Sequence, residues 1–389
     1  VSQAAARAIA PLRPAIATSQ TATDEFGLVG VTTASPLDET SRILVRVRQD
    51  DGWSNWTPLP VSDHAPDPGS LEAQGVRFGT EPLITGDADG VQVRIDTPGG
   101  VSPVDPQVML MNNPVVAEDA DLPLGPESAS LPISTVAAAT LGAPMPTIIT
   151  RAQWGANEAL RRAGPTYSGT IKAAFLHHTV TSNSYTPEEA AQQVRNLYGW
   201  FVKGLRYSDL AYNFLVDRFG RLYEGRAGGM DQAVIGGHTA GFNSETFAVS
   251  ALGNFQSKDL PPEEMAAIDE SVAQLMAWKL SMNHRNPNGT TVLVSDSSSG
   301  TSRYQPGDQA NALVIGGHRD IGRTACPGRY LEPQIPVIRS MVASKMGVTA
   351  FNPVMSAPAA WGASEPLAIS TTTTAPLTWT VAVTSRCGT

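Results

Sequence analysis

Apolar residues fall with a two-residue period early in the chain and with a three-to-four-residue period only later. From about 24 to 112, short β-prone runs such as FGLVGVTT, RILVRVRQ, WSNWTPLP and VQVRIDTP are divided by Gly, Pro and Asp clusters. Ile43, Val45 and Val47 set against Arg46 and Arg48 describe a half-buried strand. This region is expected to be a small all-β sandwich domain. The Ala-rich residues 1–23 before it read as a tail or a short helix, and 113–146, rich in Pro, Ala and Ser, as a linker.

Between about 147 and 349 strand-like runs (AAFLHHTV, AYNFLVD, FAVSALG) alternate with helical periods. Thr186-Pro187-Glu188-Glu189 carries a cap, a first-turn proline and a glutamate three residues after the cap. Ala190, Val194, Leu197, Tyr198 and Phe201 then share one helical face. A second helix is expected from about Pro261, with Met265, Ile268, Val272, Leu275 and Met276 inward. Residues 290–311 suggest a β-hairpin, and 350–389, with TTTT at 371–374, a further linker-like segment. The expected fold class here is α/β, a mixed central sheet flanked by helices.

Length and composition narrow the function. A chain of 389 residues suits two domains, and 16% charged against 41% hydrophobic content suits a globular protein. A net charge of −9 speaks against nucleic acid, whose phosphates require a basic face. No apolar run is long enough to span a membrane. A start at Val1, few lysines and much Ser, Thr, Pro and Gly point to a secreted or cell-envelope protein. The two cysteines, Cys326 and Cys387, leave three readings: one bridge, two thiols, or a metal ligand and a spare.

The chemistry-bearing residues stand at strand ends. His177 and His178 close the run Ala173–Leu176, and alternation lets only one of them face a given site. His318 follows Val314-Ile315-Gly316-Gly317, and a short Gly- and Pro-bounded loop can return Cys326 to its side. Two imidazoles and a thiolate leave open the fourth position that a catalytic zinc needs. Read alone, each histidine is also a common structural residue and the cysteine a common apolar filler.

The segments FLHHTVT, LAYNFLVDRFGRLYEGR, GGHTAGFNSETFAVSALGNF and GHRDIGRTACPG, in this order, resemble successive motifs of the peptidoglycan-recognition-protein and type 2 amidase family. The resemblance covers about 147–345. It implies Zn2+ held by His177, His318 and Cys326, and hydrolysis of the amide joining N-acetylmuramic acid to L-alanine in peptidoglycan. Tyr212 matches the family's catalytic tyrosine, an oxyanion donor. Thr324 occupies the position of a catalytic lysine in phage enzymes and of threonine in many active recognition proteins. His238, Asn243 and His178 fit a muropeptide groove, with a position next to the metal ligand also open to His178. Arg226 could face a stem-peptide carboxylate or be an ordinary solvated arginine.

His64 and His284 need no role on this reading. With every candidate beyond residue 170, the β domain is expected to be separable and to contribute nothing to the chemistry. The rivals are a recognition protein that binds peptidoglycan without cutting it, and a structural envelope protein with a vestigial amidase. A 326–387 disulfide would dismantle the metal site.

Overall fold

The computed structural model describes residues 10–50, 52–67, 69–70, 72–125, 142–296 and 301–347. The first part is all-β. Its strands are β1 (Leu12–Ala17), β2 (Thr21–Thr33), β3 (Arg42–Gln49), β4 (Gly52–Trp53), β5 (Thr57–Leu59), β6 (Phe78–Gly79), β7 (Leu83–Pro98) and β8 (Gln107–Met111). They join one antiparallel hydrogen-bonded network in which the long β7 pairs with β1, β2 and β3. The expected alternation holds on β3: Ile43, Val45 and Val47 lie opposite Ile95, Val93 and Val91 of β7 and enter the same core. The reading of 1–23 as a tail or helix is corrected from residue 12 on, while 1–9 lie outside the described residues. Leu12–Ala17 and the start of β2 are strands, because β7 extends far enough to offer them partners.

The second part carries β9 (Ile148–Ile149), β10 (Ala173–His178), β11 (Phe214–Val216), β12 (Leu222–Glu224), β13 (Thr246–Ala251), a hairpin β14 (Thr290–Val294) with β15 (Gln309–Leu313), and β16 (Ile315–Gly317). Three helices accompany them: α1 (Pro187–Gly199), α2 (Pro262–Met282) and α3 (Ile335–Lys345). The central sheet has the order β16-β10-β13-β11-β12-β9 and is mixed, with only β11 and β12 antiparallel. Helix α1 begins with the expected capping box: Glu189 N donates to Thr186 Oγ1 and Thr186 N to Glu189 Oε2.

Alternation decides which face each strand residue serves. Ala174 and Leu176 of β10, Phe214 and Val216 of β11 and Phe247 and Val249 of β13 join the core beneath α2 and α3. Leu215 and Ala248 turn to the opposite face, where α1 packs.

That second face is not completed by α1 alone. Leu28 of β2 and Met111 of β8 enter the same core as Leu197, Trp200 and Tyr212. Gly30 lies so close to the Trp200 ring that an added Cβ would stand 2.4 Å from it. The presumed linker also packs down. Arg195 donates to Asp119 in a short 3-10 turn, Ala117–Asp121, through a buried pair 2.6 Å apart. The expectation of a separable β domain is therefore corrected. It supplies apolar side chains to a shared core, which a hydrophobic pattern read segment by segment does not reveal. Residues 126–141 of the presumed linker, and 350–389, lie outside the described residues.

One buried carboxyl makes the stability of this fold pH-dependent. Asp269 on α2 is 5% exposed, one of its oxygens lacks a hydrogen-bond partner, and burial raises its pKa to about 7. The fold favours its neutral form, so this contribution is full below the ordinary carboxyl range and is lost as pH rises through about 7. Asp269→Asn should leave thermal stability near pH 3 unchanged and raise it progressively above that, by ~2 kcal/mol near pH 8 after allowing for residual solvent screening. Unfolding curves at the two pH values check this; an equal effect at both would exclude titration of Asp269 as the cause.

Candidate metal centre

Strands β10 and β16 run parallel, with Leu176 opposite Gly317. The next residue on each is a histidine, so His177 and His318 emerge side by side at the same end of the sheet, ring centroids 4.7 Å apart. Alternation separates the two neighbouring histidines as the sequence suggests. His177 turns to the centre, whereas His178 turns to the α2 side and its Nδ1 accepts from Phe255 N at 3.1 Å.

The loop after His318 folds back on itself, with Gly322 N donating to His318 O and Arg319 N to Cys326 O, both at 2.9 Å. This places Cys326 Sγ 3.5 Å from His177 Nδ1. Thr324 fixes that approach, its Oγ1 accepting from Cys326 N at 2.9 Å. Cys326 has no disulfide among the described residues, and Cys387 lies outside them.

Tyr212, on the segment entering β11, lies 5.5 Å from His177 between ring centroids. Asn243 is buried and accepts from His238 N and Thr239 N at 2.7 and 2.9 Å, pinning that turn. His238 packs 5.3 Å from His177. His284 is exposed beyond α2.

The sequence reading missed His64. Carried by the loop after β5, it lies 5.9 Å from both His177 and His318 between ring centroids. One ligand atom each of His64, His177 and His318 falls within 4.8 Å of the others. His64, expected from its loop surroundings to need no role, is thus buried beside the two candidate ligands. Its neighbours come too. Thr324 Oγ1 donates to Asp63 Oδ2, and Asp67 Oδ1 accepts from Gly241 N and Asn243 Nδ2 at 2.7 and 3.0 Å. Arg226 is not solvated: it is buried and donates to Glu72 Oε1 at 2.7 Å.

The electrostatics suit a cation among these groups. Both ring nitrogens of His318 are buried without a hydrogen-bond partner, a state that ordinarily costs about 1–3 kcal/mol per group. Burial, then the neighbouring imidazoles, hold His177 well below the usual histidine range. Burial likewise takes His318 down to about 4. Both are neutral at physiological pH, as metal ligands must be. Burial raises the Cys326 thiol well above its ordinary value, and raises the Tyr212 hydroxyl, which therefore keeps its proton.

The sequence pattern of N-acetylmuramoyl-L-alanine amidase matches residues 167–329. Peptidoglycan-recognition protein 1 of Holotrichia diomphalia is 33% identical over 142 residues, 36% of this chain and 68% of that protein. The chain belongs to the peptidoglycan-recognition-protein and type 2 amidase family. Peptidoglycan-recognition protein SC2 of Drosophila melanogaster is 28% identical over 189 residues, 49% of this chain and 84% of its own. A solved structure of human PGRP-IBETAC in complex with glycosamyl muramyl pentapeptide is 25% identical, with a TM-score of 0.37, and covers 49% of this chain and 94% of that one. Residues 2–120 match a second family, Rv3811 N-terminal galactose-binding domain-like, in keeping with the all-β domain. Membership of the peptidoglycan family agrees with the mixed sheet and helices of 147–347. Among the described residues, no helix is long and apolar enough to cross a membrane.

Proposed function

We propose that this protein is a zinc-dependent N-acetylmuramoyl-L-alanine amidase acting on peptidoglycan outside the cell or in its envelope. The observation that carries the reading is the pair of neutral, buried imidazoles His177 and His318 at adjacent strand ends, with His318 otherwise unpartnered and Cys326 alongside. These three residues would hold the metal. A zinc ion there would make water nucleophilic at neutral pH and polarise a carbonyl.

The chain's own groups do the rest. Tyr212, still protonated, donates to the oxygen of the amide carbonyl as negative charge gathers on it. Thr324 positions Cys326 through its backbone amide and lies beside the reacting centre. His238 and Asn243 shape the groove wall that receives the muropeptide, and His178 braces the strand end next to it. The catalytic unit lies in 147–349, and the β domain, which begins at β1, packs against it as an accessory domain.

Mass spectrometry of a purified muropeptide after incubation with the zinc-loaded protein tests the reading. The expected products are a saccharide that keeps its lactyl group and a free peptide starting with L-alanine. Saturable binding of a muropeptide that stays intact would instead favour recognition without cleavage.

A further inference from the structure

The β domain brings a histidine and several carboxylates into a centre that already has enough ligands to bind zinc. We infer that His64 is a fourth protein ligand of that centre, and that the chain folds as a latent enzyme closed by its own loop. The inference rests on the amidase reading for the identity of the metal, and on geometry for the role of His64.

The His64 side chain is 1% exposed, and a nitrogen of its ring shares the 4.8 Å cluster with His177 and His318. Both ring nitrogens of His318 lack a partner, and His64 Nε2 meets the Tyr212 hydroxyl, which would turn aside for a cation held between the three rings. Glu81 Oε1, buried and with no other partner among the described residues, faces His64 Nδ1 at 3.3 Å. A carboxylate on one ring nitrogen is the usual way of orienting the other toward a metal. With Cys326, the set becomes three imidazoles and one thiolate. A tetrahedral zinc bound by four protein groups is closed, whereas a catalytic one keeps a position for water.

The rest of the loop occupies the donors that an anionic peptide would use. Glu72 sits on Arg226 and on Ser208 N, and Asp67 on Gly241 N and Asn243. Asp63 takes the Thr324 hydroxyl. Tyr207 donates to His64 O at 3.1 Å, and the Tyr212 hydroxyl lies 2.9 Å from His64 Nε2. The same segment thus covers the metal, the oxyanion donor and the groove. Substrate must displace it and compete for Arg226 and Asn243 to be cut.

Cobalt substitution in the full-length protein reads the shell directly. Wild type should give a visible spectrum that added azide leaves unchanged, while His64→Ala should give one that shifts with azide and should bind zinc at least about tenfold more weakly. Glu72→Gln keeps all four ligands and loosens the loop, so azide should shift its spectrum at higher concentration. A wild-type spectrum that responds to azide as readily as His64→Ala overturns the proposal, and so does the absence of a response in both variants. Turnover separates this idea from the function it rests on. His64→Ala should cut muropeptide at least about tenfold faster than wild type. Equal cleavage by the two would sink the latent centre and leave the amidase reading intact. An azide-responsive His64→Ala that leaves muropeptide whole would do the reverse.

Discussion

Replacing His177 or His318 with alanine, or Cys326 with serine, should weaken zinc binding by more than about 100-fold and abolish muropeptide cleavage. The three are not interchangeable with their surroundings. His177 and His318 are aligned by the register of β10 on β16, and Cys326 by a loop closed on His318 O and braced by Thr324. No other buried thiol stands among the described residues to replace the sulfur. His64 would remain in each variant, so residual weak binding is compatible with the account, whereas residual turnover is not. Calorimetric titration of zinc into metal-free protein measures the first and product analysis the second. Circular dichroism distinguishes a lost ligand from a lost fold. A Cys326→Ser protein with wild-type zinc affinity would remove the cysteine from the ligand set.

Tyr212→Phe should lower kcat by about 10²–10³ while leaving the fold and zinc binding intact, because it removes one donor and keeps the packed ring. The ring is 1% exposed and lies in the core shared by α1 and the β domain, so its apolar contacts survive the change. The hydroxyl also meets His64 in the closed form, so the substitution loosens the loop as well as removing the oxyanion donor. The catalytic effect is therefore best measured on a His64→Ala background, where that contact is already gone. An unchanged kcat there would assign Tyr212 to the lining of the groove.

The sequence made the helices and the two candidate ligands on adjacent strands legible for local reasons. The capping box at Thr186, the two-residue period around Val45 and the strand-end positions of His177 and His318 are properties of a few consecutive residues. Family motifs then tied Cys326 and Tyr212 to them. The position of His64 beside His177 and His318 was not legible, because it depends on how two domains dock. Its segment, Asp63-His64-Ala65-Pro66-Asp67, is polar, Pro-containing and flanked by short strands, like many surface loops. Nothing in its spacing signals a site far along the chain. The one available sign was an excess of acid: Asp63, Asp67, Glu72 and Glu81 in a region otherwise rich in turns. Arg226 shows the same limit from the other side. A carboxylate partner was one of the readings open to it from the sequence, but the partner present in the fold is the chain's own Glu72. The strands before residue 24 were missed because their partner lies near residue 90, and edge strands with exposed, Ala-rich faces carry little periodicity of their own.

Zinc titrated into metal-free His64→Ala protein, with muropeptide cleavage followed at each addition, tests the central claim most directly. The account predicts no cleavage without metal, then a rate that rises linearly and levels off at one zinc per chain, with every product cut at the lactyl amide. A metal-free protein that cuts at the full rate, or a fully loaded one that never cuts, would contradict it.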